Sequence, residues 1–381
     1  MRTSSSVRCP LAINKRCIGA TAIAAMFALS PMTPALAYKI GSPSNTEQVK
    51  QDVKRQFGAS SLVDTLFDRF GHTVHESILA RSYGCNTLEC DRLPKSVLRG
   101  LLWADIPSGF PVRGRAENVC KRVRVGLQTD GKLSHPICTF GYIIDGAKIS
   151  QRMRHRGKRG EFHSDGYLTL YRTHYGDMQW MHAMAESLNE PAEATRSSML
   201  AWSEYLYRLS TRNEVEQIDL SQPLSEIPHI AKWFSHKKSG WNSRDLFATG
   251  QHGVDEQTIR DMAFGALLHM LQDSYSESHV RRDFSESSSR SAGQITRFLT
   301  YPAQDAECHS PADAAPLDES SDWWNSATGA MVVEQGAKLI ALRGRSAPTE
   351  EVTEWLKNSA FPLDESARPA EGGFDSKCRP R

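Results

Sequence analysis

His269 and Asp273 stand four residues apart inside the apolar run Ala263-Phe264-Gly265-Ala266-Leu267-Leu268-His269-Met270-Leu271-Gln272-Asp273, and His279 follows six residues later. A helix this apolar is expected to be buried. Residues four apart share one helical face, so the imidazole and the carboxylate point the same way. A carboxylate buried without a partner is costly, and a metal ion is one of the few partners that compensates it. The spacing therefore points to a gripped cation. The plainer alternative is a hydrogen-bonded core histidine beside a capping aspartate.

Other short sets repeat the pairing of histidine with carboxylate. His75-Glu76 lies in an early helical pattern, and Trp103-Ala104-Asp105 ends a short apolar segment. His174-Tyr175-Gly176-Asp177 joins a histidine, an aromatic residue and an acid. His309-Ser310-Pro311-Ala312-Asp313 again spaces His and Asp by four, although Pro311 disfavours a regular helix there. His182 competes with His174, but it sits among Trp180, Met181 and Met184, a stripe that reads as core. His135, His155, His163, His229, His236 and His252 lie in polar or loop stretches and receive no role.

Taken together, these sets resemble the zinc-dependent phospholipase C family and its relatives, the secreted single-strand-specific zinc nucleases. In that superfamily an early His is followed by an Asp, then a His in an H-aromatic-x-D setting. An H-x3-D-x5-H helix and a last His-carboxylate pair complete the order. The chain offers His75, Asp105, His174, then His269, Asp273 and His279, then His309 and Asp313, over roughly residues 70 to 315. The resemblance implies an all-α, multi-helix fold holding two to three zinc ions. It implies one zinc on Asp105, His174, His269 and Asp273, and a second on His279, His309 and Asp313. Asp273 would bridge to a third zinc that also takes His75. The family caps that third zinc with an N-terminal Trp. Here the expected mature terminus, Tyr38, lies about 37 residues before His75 with no Trp between, and His72 is a candidate substitute.

Such zinc ions would neutralise phosphoryl oxygens and acidify water for in-line attack, with Asp105 as the catalytic carboxylate orienting or deprotonating that water. The expected activity is hydrolysis of the glycerol-side phosphodiester of phospholipids such as phosphatidylcholine, at a membrane surface, by a monomer with no stable nucleic-acid partner. A single-strand nuclease and a non-catalytic zinc-binding exported protein are the alternatives. Trp233-Phe234 and Trp241 are candidates for a head-group-contacting loop, against an ordinary core role. The basic run Arg152-Met153-Arg154-His155-Arg156-Gly157-Lys158-Arg159 could meet anionic lipid or nucleic acid, or be a solvated loop.

The elements that must position these residues are mostly helical. Helical spacing marks residues 61–82, where Val63, Leu66, Phe67, Phe70, Val74 and Ile78 recur, and residues 95–105, stopped by Pro107 and Gly109. Further helices are expected at about 176–211, 255–280 and 323–342. Residues 110–162 read as an Arg/Lys/Gly-rich, partly β insertion, with Val123-Arg124-Val125 and Phe140 to Ile144 flanking a Thr129-Asp130-Gly131 turn. Residues 283–293 are Ser-rich and read as a loop. The Pro-, Glu- and Gly-rich segment 345–381 reads as a loosely held C-terminal tail, with Cys378 as a tether.

The first 37 residues read as a secretory signal peptide. Arg2, Arg8, Lys15 and Arg16 precede the apolar run Ile18 to Leu29, and Ala35-Leu36-Ala37 offers a cleavage site. The catalytic domain is then 38–344, in an enzyme secreted or released to the periplasm. Of 46 Lys and Arg residues four lie in this leader, so the remainder carries 42 against 44 acidic residues, a net of −2. Nothing global marks a polyanion binder. Six cysteines remain: Cys85, Cys90, Cys120, Cys138, Cys308 and Cys378. An even number in an exported chain favours disulfides, with Cys85/Cys90 and Cys120/Cys138 as natural local pairs and Cys308/Cys378 left over.

Overall fold

The computed structural model describes residues 74–88, 90–105, 126–127, 133–134, 172–174, 176–234, 241–248, 253–284, 293–301 and 322–373. The signal peptide, the basic run 152–159, His309 and Asp313 lie outside the described residues. So do 61–73 of the first expected helix and the other four cysteines of the expected mature chain. The described chain is mostly helical with small two-stranded sheets.

The organising element is α6, defined below, and its partners are introduced in chain order. Helix α1 spans Val74–Ser82 and α2 spans Lys95–Asp105, the latter as the sequence predicts. Strands β1 (Gly126–Leu127) and β2 (Leu133–Ser134) pair antiparallel, and the expected turn at 129–131 lies outside the described residues. The helical stretch expected over about 176–211 comes in two pieces. A 3-10 turn, Gln179–His182, ends at Ala183 in the left-handed region (φ 53°), and Asn189 also has positive φ (64°). Pro191 then opens helix α3, Ala192–Ser210. A proline cannot extend a preceding helix, and left-handed residues end one. Short helices α4 (Ala231–Phe234) and α5 (Ser243–Ala248) follow. Trp233 packs at 4.2 Å between ring centroids on Trp180 in the core, its ordinary core role, while Phe234 and Trp241 are half-buried and residues 235–240 lie outside the described residues.

Helix α6, Glu256–Asp273, is capped by Asp255, whose carboxylate accepts from Thr258 N at 2.8 Å. From Ile259 to Asp273 every residue except Asp261 is buried. Its largest contact is with α2, then with α3, and α1 and α7 also touch it. The helix stops at Asp273, short of the expected 280. Serines compete for the backbone there: Ser274 Oγ donates to Leu271 O at 2.7 Å, and Ser278 N donates to Ser276 Oγ at 3.2 Å.

His279 therefore stands in a turn, one residue before strand β3 (Val280–Asp283), which pairs antiparallel with β4 (Gln294–Phe298). Helix α7 (Ala327–Gly344) is capped by Ser326 and lies on α1 and α6. Residues 345–373 of the expected tail are packed rather than loose; 374–381 lie outside the described residues. Helix α8 (Thr349–Trp355) runs into a π-turn, Leu356–Ala360, and buries Val352, Leu356, Ala360 and Phe361. Residues further on bridge β4 in parallel, Ile295 with Leu363 and Leu299 with Glu371. A disulfide joins Cys85 and Cys90, just beyond α1. Among the described residues no helix is long and apolar enough to cross a membrane.

Candidate metal centre

Four chain segments deliver seven cluster residues to one place in the core. The start of α1 brings His75, and the last residue of α2 brings Asp105. Residues 172–182 bring His174 and His182. The end of α6 and the turn after it bring His269, Asp273 and His279. None is more than 1 % exposed.

Asp273 is central, and its two oxygens face different neighbours. Oδ2 lies 2.8 Å from His182 Nδ1 and 3.1 Å from His269 Nε2, with His279 Nδ1 at 3.9 Å. Oδ1 lies 3.3 Å from His75 Nε2. Asp105 Oδ1 faces His269 Nε2, His174 Nε2 and His182 Nδ1 at 3.7, 3.8 and 3.9 Å. The imidazoles also contact one another, His75 stacking on His269 at 4.0 Å and His174 tilting over His182 at 4.4 Å.

Hydrogen bonds to outer groups set the rings. His279 Nδ1 lies 2.6 Å from the His182 carbonyl. A carbonyl only accepts, so that nitrogen is the donor. His75 Nδ1 lies 2.6 Å from Gln272 Oε1, and His174 Nδ1 lies 3.0 Å from Thr173 Oγ1. Metal-binding histidines are held in this way, one nitrogen on an outer acceptor and the other on the ion.

Burial sets the charge state. It lowers His75 to about 4, helped by His269 and partly opposed by Asp273. It lowers His269 to about 3, helped by His279 and opposed by the Leu101 backbone. It takes His182 well below the ordinary value, helped by His174. For Asp273, burial pushes upward, but His279 and the hydrogen bond with His182 lead the effects that outweigh it, and the carboxyl lies below its ordinary range. At neutral pH, His75, His182 and His269 are thus neutral rings with lone pairs to give, around an ionised carboxylate.

The donor set fits a cation. Asp273 Oδ2, His182 Nδ1 and His269 Nε2 form a triangle with edges of 2.8, 3.1 and 3.1 Å. Tetrahedral ligands at 2.0–2.1 Å from zinc stand about 3.3 Å apart. A single proton cannot satisfy all three edges, and no lysine or arginine forms an ion pair with Asp273 among the described residues. Three groups of ligand atoms mutually within 4.8 Å emerge: His75, Asp105 and His269; Asp105, His174 and His182; and His182, His269 and Asp273.

Of the residues singled out from sequence, the structure brings together His75, Asp105, His174, His269, Asp273 and His279. Asp177, the acid of the His-aromatic-x-Asp set, turns away to pair with Arg172 at 2.7 and 2.8 Å. His182 corrects the sequence reading, being a cluster member and not a bystander in the core. The signal that found His269, one imidazole inside an apolar run, was also present around His182. Comparison with protein-family models, with curated proteins and with solved structures finds no match.

Proposed function

We propose that this cluster is the zinc centre of a phosphodiester hydrolase of the phospholipase C type, acting on phospholipids such as phosphatidylcholine at a membrane surface. The observation that carries the reading is the convergence of five imidazoles and two carboxylates, with no cysteine beside them among the described residues, on one buried point. Structural zinc favours closed, Cys-rich sites, whereas mixed His/Asp sets belong to catalytic ones. His75, Asp105, His174, His182, His269, Asp273 and His279 are the described residues that would hold the ions, and the resemblance adds His309 and Asp313 to the ion at His279. Bound there, zinc supplies Lewis acidity, neutralising phosphoryl oxygens and acidifying water.

The chain's own groups do the rest. Asp105 takes the proton of the attacking water. The water oxygen bonds to phosphorus, the bond to the glycerol oxygen breaks, and diacylglycerol leaves with a proton while the phosphorylated head group remains. Asp273 keeps the imidazoles assembled. Because the attacking group is water, no nucleophilic serine is required. The Cys85–Cys90 disulfide supports an exported enzyme, since such bonds persist in oxidising compartments.

The test uses the purified exported protein, given phosphatidylcholine vesicles and, separately, single-stranded DNA. Diacylglycerol release supports the proposal, and nucleotide release replaces it with the nuclease reading. Zinc bound without either product leaves a non-catalytic binding protein. Less than about one zinc per chain removes every zinc-dependent version.

A further inference from the structure

Gln272 stands on α6 between His269 and Asp273 and is itself buried. Its Oε1 lies 2.6 Å from His75 Nδ1, a contact between residues 197 apart in sequence. An amide oxygen only accepts, so the imidazole proton sits on Nδ1 and the lone pair on Nε2. That nitrogen is the one 3.3 Å from Asp273 Oδ1. Two acceptors at such a distance repel unless a cation lies between them. Stacking on His269 fixes the plane of the His75 ring but not which edge faces inward. A ring turned over would keep the stacking and present a carbon to Asp273. The bond to Gln272 discriminates between the two orientations.

We propose that Gln272 is a positioning residue that fixes His75 as an Nε2 ligand to a cation shared with Asp273, a role that rests on reading the cluster as a metal centre. The two oxygens of Asp273 divide accordingly. Oδ1 serves the His75 side, and Oδ2 serves His182 and His269.

The experiment measures zinc per chain after dialysis, and zinc affinity by titration of chelator-treated full-length protein. It compares wild type with Gln272→Leu, Gln272→Met and Gln272→Glu. The leucine and methionine variants remove the acceptor and should bind one ion fewer, or one ion about 10- to 100-fold more weakly. Methionine matches glutamine in length and serves if leucine folds poorly, with circular dichroism as the check. The glutamate variant accepts the same proton and should keep the wild-type count. Unchanged zinc in the methionine variant overturns the role, and so does loss of the ion in the glutamate variant. Wild-type protein that takes up no zinc overturns the metal reading itself.

Discussion

Gly265 of α6 lies against the backbone of Gly100 of α2, so closely that a methyl group on Gly265 would sit 2.8 Å from the Gly100 carbonyl carbon and 2.1 Å from the Val97 oxygen. On the other side, a methyl on Gly100 would sit 2.0 Å from the Met262 oxygen. The two helices touch main chain to main chain. Asp105 at the end of one and His269 and Asp273 at the end of the other are thereby brought within ligand distance.

Gly265→Ala should force the helices apart. Overpacking of this kind costs about 1–3 kcal/mol or more. Asp105 would move from His269, so zinc affinity should fall together with stability. Urea denaturation of the chelated protein and zinc titration check the two effects separately. A variant with wild-type values in both would show that the helices yield without consequence.

Asp273→Asn preserves shape and removes the charge shared by both groups of imidazoles. It should lower the zinc content by at least one ion per chain and abolish phosphodiester hydrolysis. Far-UV circular dichroism should be retained. Full turnover in this variant would exclude Asp273 as a shared ligand.

Acid should destabilise the metal-free protein. The folded values of His75 and His269 lie at about 4 and about 3, below the ordinary 6.5, and His182 is displaced the same way. As pH falls below about 6.5 the unfolded chain takes up protons that the folded chain refuses. The stability these rings confer is therefore complete above that pH and is lost on the way down to about 3. The slope is about 1.4 kcal/mol per pH unit for each histidine. Urea midpoints of chelated protein at pH 7 and pH 5 measure it, and equal midpoints would contradict it. Proton competition at the same nitrogens should also release zinc in this direction.

Reduction of the Cys85–Cys90 bond should cost about 2 kcal/mol, the chain-entropy value for so short a loop. The bond ties down the segment leaving α1, so the effect should appear first as hydrogen exchange near residues 83–90. Matched denaturation curves with and without reductant give the magnitude.

Much of the centre was legible because its parts obey local rules. Val97, Leu98, Leu101 and Leu102 mark α2 by spacing alone, and Pro107 stops it. His269 and Asp273 share a face because a helix puts residues four apart on one side. His182 was obscured by Trp180 and Met181, which are core residues, and by a 3-10 turn whose geometry no apolar period announces. Strand β3 was hidden because Arg281, Arg282 and Asp283 look like helix-end or loop residues, and their pairing partners, Arg297, Ile295 and Gln294, lie further along the chain. The C-terminal segment looked loose because its buried positions, Val352, Leu356, Phe361 and Ala370, are sparse among prolines and acids.

That C-terminal segment also sets the order in which the molecule can be completed. Glu371 O accepts from Thr300 N, Ala370 bonds with Asn189 and Glu190, and Leu299 in turn is hydrogen-bonded to His279 and Ala185. The brace behind His279 and His182 is thus made from residues that follow every described cluster residue in the chain. In vectorial synthesis the cluster residues therefore emerge before the brace that immobilises them. A truncation after Gly344 would leave His182 and His279 present but unbraced.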